Sequence, residues 1–380
     1  MTKKYIAPTL TIDLSKVVEN FCSISDALPG VTIYYAVKSC PNYEIVRELS
    51  SIGCSFDIAS VEEYDLCEKC LFESDKSSRI FYTHPIKSPY EIETLVEKGI
   101  SDFVIDNIYE LDKIPAGSNV FIRAKTIDYD CGCNLSKKFG CDISEIMELA
   151  KTVCEKEIYL KGICFHVGSQ ISTNLAFVDM LNCLKETYNE ILSEKSKQRR
   201  GFPNNKYLSK FEILDIGGGF PYVSNNPIDI NEFCIPINEE LNWFIDKGIR
   251  IYAEPGRYIV ANAAILEFSI IGKNIRNGVT WYYADDGIYG SFMDVALSES
   301  TVSIYPKRSD AIDYGPVVLA GPTCDSVDII SENIILPQDL SIGDELVCDN
   351  MGAYVIGMST RFNGLYNTKI CVKSGKEDIT

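Results

Sequence analysis

Short, continuous apolar runs bounded by turn formers recur along the first two thirds of the chain. They lie at 31–37 (VTIYYAV), 54–58 (CSFDI), 79–83 (RIFYT), 102–106 (DFVID), 118–124 (SNVFIRA), 158–165 (IYLKGICF), 211–216 (FEILDI) and 249–253 (IRIYA). Most are rich in β-branched and aromatic residues and do not alternate with polar ones, the pattern of strands buried on both faces of a parallel sheet. Helical patterns separate them, among them 60–74, 87–99, 142–157 and 173–197. Eight strands alternating with helices over ~230 residues predict an α/β fold, a (β/α)8 TIM barrel, for which ~250 residues is typical. After about residue 263 the pattern changes to strand candidates at 263–271, 279–284, 315–320, 344–349 and 367–373 with little helix between them. These predict a C-terminal all-β domain, and the extended start of the chain (YIAPTLTIDL) supplies a strand that completes it. The expected division is a barrel at 14–262 and a β domain from 1–13 and 263–380. The polar, basic stretch 194–209 reads as an exposed barrel loop.

Composition narrows the partners. The 380 residues carry 36 basic and 54 acidic side chains, a net charge of −18, which disfavours nucleic acid and anionic membrane surfaces and leaves a small molecule as the expected partner. No apolar stretch approaches the ~18 to 20 residues of a membrane span. Fifteen cysteines spread over a chain of this length, with no apolar leader behind Lys3 and Lys4, predict free thiols and a cytoplasmic protein. Cys67 and Cys70 form a C-x-x-C inside a predicted helix without a second ligand pair, so no metal site is expected.

In such a barrel the chemistry sits where strands end at their C-terminal side. Those positions hold Lys38, Asp57, His84, His166, the triplet Gly217 to Gly219, and Glu254; both histidines of the chain are among them. Lys38 closes an apolar run, where burial would lower its pKa and favour the neutral amine that attacks an aldehyde. The glycine triplet lets backbone N–H groups approach a phosphate, and Arg257, three residues after Glu254 in AEPGRYIV, adds a fixed cation. Lysine, glycine cradle, arginine and carboxylate together point to a phosphorylated aldehyde cofactor, pyridoxal 5'-phosphate.

With these motifs in view the sequence resembles the barrel-type pyridoxal phosphate decarboxylases that include ornithine, lysine, arginine and diaminopimelate decarboxylases. The resemblance runs from about Pro8 to the C-terminus through YYAVKSCP, SFDIAS, CFHVGSQ, LDIGGGFP, AEPGRYIV, DDGIYGSF, AGPTCDSVD and DNMGAYVIGMSTRFNG, in the family order, and lies nearest the ornithine branch. It implies decarboxylation at the Cα of an amino acid. Lys38 would bind the cofactor aldehyde, His166 would stack on the ring, and Glu254 would hydrogen-bond the pyridine nitrogen. Ser169, Gly219, Arg257 and Tyr354 would hold the phosphate, with Asp57, Gly218 and Gly256 also in the cofactor site. Cys324 would return a proton to Cα from the partner subunit, so a homodimer with shared sites is implied. The implied substrate contacts are Asp325, Tyr289, Ser298 and Phe362.

Two departures bear on the substrate. Where the ornithine-type pattern has a tyrosine and an aspartate, this chain has Leu297 and Ser298, with Asp294 and Glu299 out of register; the family arginine before LSxKFG is replaced by Asn134. A basic amino acid is the first expectation, and an amino-acid group conjugated to a siderophore, peptide or nucleotide is the alternative. An amino-acid racemase and a non-catalytic regulatory homologue are the competing readings; the GPTCDS motif argues against the first and the intact cofactor set against the second.

Overall fold

The computed structural model describes residues 7–72, 75–196, 205–222, 228–298, 302–310, 312–365, 368–374 and 377–379. After an N-terminal strand β1 (Thr9–Asp13), eight strands close into a parallel barrel: β2 (Val31–Ala36), β3 (Ser55–Ile58), β4 (Ile80–Tyr82), β5 (Asp102–Ile105), β6 (Asn119–Arg123), β7 (Tyr159–Cys164), β8 (Ile213–Asp215) and β9 (Arg250–Ala253). Each falls inside one of the apolar runs. Closure is made by β2 against β9, with Val31 opposite Ile251. The register of β2 on β3 sets Ala36 opposite Asp57, which brings the turn carrying Lys38 to the carboxylate at the end of β3.

The strands read as continuous apolar runs because both of their faces are buried. Tyr34, Phe81, Val104, Phe121, Cys164, Ile213 and Tyr252, from seven of the eight strands, form a cluster separate from the main core. Such a set, drawn from around a closed barrel, fills its interior. Its rings pack at tilted angles, Tyr34 against Tyr252 with centroids 4.8 Å apart and Phe81 against Phe121 at 4.6 Å. Burying each such side chain contributes about 1.5 to 3 kcal/mol, which makes the barrel interior a rigid plug beneath the catalytic end. The opposite faces pack under amphipathic helices such as Leu14–Ala27, where Leu14, Val17, Ile24 and Ala27 are buried and Asp13 caps the first turn through Ser15 N–H at 2.9 Å.

The second unit is a mixed sheet of β10 (Ala264–Arg276), β11 (Val279–Ala284), β12 (Ile304–Pro306), β13 (Tyr314–Ala320), β14 (Ile329–Pro337), β15 (Glu345–Cys348), β16 (Lys369–Ser374) and β17 (Glu377–Ile379). As expected, β1 joins it, antiparallel to β10 and parallel to β16. The pattern missed β12, β14 and β17. β12 has three residues and ends in a proline, and most of β14 is not buried, so neither carries a strong apolar signal. The predicted helix at 60–74 is also shorter, Val61–Glu68; beyond it Cys70 N–H donates to Cys67 O at 2.9 Å and the Ser50 hydroxyl donates to Cys70 O at 2.8 Å, while residues 73–74 lie outside the described residues. Residues 197–204, the centre of the basic stretch, and Glu299 lie outside the described residues.

Candidate active site

A cavity of about 270 Å³ opens at the C-terminal ends of the barrel strands, and its walls include Lys38, His166, Ser169, Glu254, Arg257 and Tyr354. Lys38 projects from the short turn Val37–Ser39 that follows β2. The turn is fixed by the Ser39 hydroxyl donating to Ala36 O at 2.7 Å and, beyond it, by Asn42 capping the helix Tyr43–Ser51. Lys38 Nζ donates to Asp57 Oδ2 at 2.7 Å, and the other oxygen of this buried carboxylate accepts from the Thr83 hydroxyl. The expectation of a neutral amine is corrected here. Burial does push the Lys38 pKa down, but Asp57, Glu254 and Tyr354 together outweigh it and hold the group above the ordinary lysine value. Lys38 stands as an ammonium paired with Asp57.

His166 follows β7. Its Nδ1 accepts from Gly168 N–H at 3.1 Å, and burial, reinforced by the charges of Arg123 and Lys38, pushes its pKa well below the usual imidazole range. The ring is therefore neutral, with its proton on Nε2, and presents a flat face without charge.

The segment after β8 explains the glycine triplet. Gly217 and Gly219 have φ of +67° and +106°, and a Cβ on either would lie 2.2 Å from a backbone oxygen, of Phe165 and Gly168 respectively. On Gly218 it would lie 2.5 Å from Glu254 O. Only unsubstituted backbone fits between these strand ends. Asp215, fully buried at the end of β8, accepts from Gly217 N–H at 2.8 Å and pins the turn.

Glu254 follows β9, is 8% exposed, and its Oε1 has no hydrogen-bond partner among the described residues. Burial, with the neighbouring Asp215 and Asp57 carboxylates, drives its pKa well above the carboxylate range. Three residues on, the Arg257 guanidinium lies 4.8 Å from the Tyr354 ring centroid, with Nε 3.4 Å from Ser169 Oγ. Nη1 and Nη2 of Arg257 donate to the two carboxylate oxygens of Asp294 at 2.7 and 2.8 Å. Gly256 lets this segment pass the lysine turn, since a Cβ there would lie 2.9 Å from Ser39 Cβ. Tyr354 reaches the barrel from the β domain: its N–H donates to Ser39 O at 2.6 Å and it adopts φ of +59°. A bulky side chain in the left-handed region costs on the order of 1 to 3 kcal/mol, so the surrounding contacts enforce this position.

The residues present fit pyridoxal phosphate. An orphaned buried carboxylate oxygen calls for an N–H donor, a neutral imidazole offers a stacking face, and a lysine amine stands in the same cavity. The glycine cradle, Ser169 and Arg257 supply donors suited to a phosphate.

The expected residues fall into two groups. Lys38, His166, Ser169, Gly219, Glu254, Gly256, Arg257, Ser298 and Tyr354 line the cavity, with Asp57 and Gly218 directly behind it. Tyr289, Cys324, Asp325 and Phe362 do not line it. They gather in the β domain, where the Tyr289 hydroxyl donates to Asp325 Oδ2 at 2.6 Å, the Tyr289 and Phe362 rings stack at 4.6 Å, and the backbone N–H of exposed Cys324 donates to Asn363 Oδ1 at 3.1 Å. Asn134 caps the turn Leu135–Lys137 and bonds Asp128, while its neighbours Cys133 and Leu135 reach the cavity. His84 packs edge-on against Phe139 away from it. The sequence reading missed Asp215 and Thr83. Asp215 had a signal, a carboxylate ending an apolar run directly before the glycines; Thr83 had none.

Residues 14–261 match the pyridoxal-binding domain of pyridoxal-dependent decarboxylases. Ornithine decarboxylase of Mus musculus is 31% identical over 382 aligned positions, which cover 94% of this chain and 78% of that protein. The chain belongs to the pyridoxal-dependent decarboxylase family. Among solved structures, lysine/ornithine decarboxylase of Vibrio vulnificus complexed with cadaverine superposes with a TM-score of 0.86 at 34% identity, covering 99% of this chain and 96% of that one. Arginine decarboxylase of Paramecium bursaria Chlorella virus bound to agmatine gives 0.87 at 28% identity, covering 97% and 98%. The barrel with its β domain, the cofactor and the carboxy-lyase class expected from the motifs are those of this family.

Proposed function

We propose that this decarboxylase acts on free basic amino acids, releasing CO2 and the corresponding amine, with ornithine, lysine and arginine as the candidate substrates. The single observation that carries the reading is the cavity in which the Lys38 amine and the partnerless Glu254 oxygen stand within one lining. The relatives whose names specify ornithine, lysine or arginine support a free basic amino acid over a conjugated one.

The cofactor, when bound, supplies an aldehyde that takes up the substrate amine and a protonated ring that accepts the electron pair left when the Cα–carboxylate bond breaks. The protein does the rest. Lys38 Nζ would hold the aldehyde, and Asp57, which accepts from it at 2.7 Å, would compensate its charge whenever the amine is free. Glu254 Oε1, without a partner among the described residues, would accept from the ring nitrogen and favour a proton there. The neutral His166 would offer a stacking face without adding a charge that would oppose that proton. Ser169, Gly219, Arg257 and Tyr354 would hold the phosphate and so orient the cofactor in the cavity.

Cys324 would deliver the proton to Cα, and Asp325 would accept the distal ammonium, with Tyr289 and Phe362 beside it and Ser298 on the cavity wall. Because the Cys324 group lies outside the Lys38 cavity of its own chain, we assign it to the cavity of a second copy, which makes the enzyme a homodimer with shared sites. We also place it in the cytoplasm, a reading supported by fifteen free thiols; among the described residues no helix is long and apolar enough to cross a membrane. We also take the functional division to be a barrel of 14–262 and a β domain of 1–13 with 263–380.

Purified enzyme should show a visible absorbance band that Lys38→Ala removes, and should release CO2 from at least one of ornithine, lysine or arginine. A wild-type spectrum from Lys38→Ala, or activity confined to conjugated amino acids, would overturn the proposal.

A further inference from the structure

The Arg257 guanidinium holds an anion that belongs to the chain itself. Asp294, on the short helix Met293–Ser298, meets Nη1 and Nη2 in a two-point pair, and the two side chains are 11% and 13% exposed. Both residues line the cavity. The proposed function requires the same guanidinium, with Ser169 beside its Nε, to hold a phosphate. Arginine presents its donors in a rigid fork, and the end-on edge is the one Asp294 occupies. The Nε edge remains, facing Ser169 Oγ. A phosphate using that edge would meet the nearby Asp294 charge, and one using the end-on edge would have to displace it. Geometry and charge act in the same direction, since a carboxylate at hydrogen-bonding distance cancels most of the attraction that the guanidinium offers a second anion.

We propose that Asp294 sets the affinity of the enzyme for its cofactor, as an internal carboxylate that competes with the phosphate group for Arg257. The inference rests on the phosphate-holding role given to Arg257 above. Its physical benefit is that the largely buried guanidinium always has an anionic partner: as the phosphate leaves, Asp294 retakes it. In the opposite arrangement Asp294 would only orient Arg257, and the two predict opposite signs.

The test uses holoenzyme of wild type, Asp294→Asn and Asp294→Ala. Asparagine keeps the shape and removes the charge. Each protein is stripped of cofactor and titrated with pyridoxal phosphate, following the visible band; cofactor loss on dilution is timed separately. Both variants are expected to bind at least tenfold more tightly, equivalent to about 1.4 kcal/mol at 25 °C, and to lose cofactor more slowly. Inorganic phosphate alone should raise the melting temperature of each stripped variant by more than it raises that of wild type, each against its own baseline. Unchanged or weaker cofactor binding in both variants overturns the inference. A missing visible band in wild type sinks the proposed function as well, whereas a normal band with an unmoved Kd sinks the role of Asp294 alone.

Discussion

The glycine cradle offers a sharp test, through Gly219→Ala. The added Cβ would lie 2.2 Å from Gly168 O and 2.9 Å from Val167 Cγ2, on a residue whose φ is +106°. The conformation alone costs a residue with a Cβ on the order of 1 to 3 kcal/mol, and the clash, being with backbone, forces a displacement that costs roughly 1 to 3 kcal/mol more. The lower bound of the sum, about 2 kcal/mol, corresponds to roughly 30-fold in an equilibrium constant. The segment can relieve the clash only by moving away from Gly168, on the wall that also carries Ser169, so the cost should fall on cofactor affinity. Gly30→Ala is the control, because Gly30 has φ of +80° but nothing among the described residues within 4 Å of its Cβ position. It isolates the backbone cost from the steric one, far from the cavity. Cofactor titration and thermal unfolding of the stripped proteins should show Gly219→Ala binding pyridoxal phosphate at least about 30-fold more weakly, while Gly30→Ala loses roughly 1 to 3 kcal/mol of stability and no affinity. Wild-type affinity in Gly219→Ala would refute the assignment of this backbone to the cofactor site.

Further outcomes concern charge and assembly. Glu254→Gln should reduce decarboxylation roughly 100-fold or more, the scale on which a single positioned electrostatic contact acts, yet raise the stability of the stripped protein. The sign follows from the raised folded-state pKa of Glu254. The folded chain holds this proton more tightly than the unfolded chain does, so wild-type stability falls as pH rises above the ordinary glutamate range until the folded group has ionised. The melting-temperature advantage of Glu254→Gln should widen across that window, and an advantage that shrinks with rising pH would contradict it. Mixing Lys38→Ala with Cys324→Ala protein should restore activity that neither has alone; failure to recover it, once subunit exchange has been shown by mass measurement, would contradict shared sites.

Much of this enzyme is written locally in its sequence. A strand buried on both faces must be apolar throughout, and a chain that alternates such strands with helices has few ways to close, so the barrel strands and the turns at their ends were legible from residue order. The cofactor group was legible too, because Lys38, His166, the glycine triplet, Glu254 and Arg257 each end or follow one of those runs. Tertiary structure decided what depends on distance rather than order. The charge of Lys38 depends on the register that sets Ala36 opposite Asp57, and an apolar run alone predicts the wrong sign. The partner of Arg257 is Asp294, 37 positions away and out of step with the family pattern, so only the packing of its helix against the barrel mouth reveals the pair. The weakly patterned strands β12 and β14 form because neighbouring strands offer them hydrogen bonds, a force that leaves little trace in hydropathy. Tyr354 follows the same rule: an ordinary tyrosine in sequence, it takes φ of +59° because Ser39, far away along the chain, holds its backbone N–H.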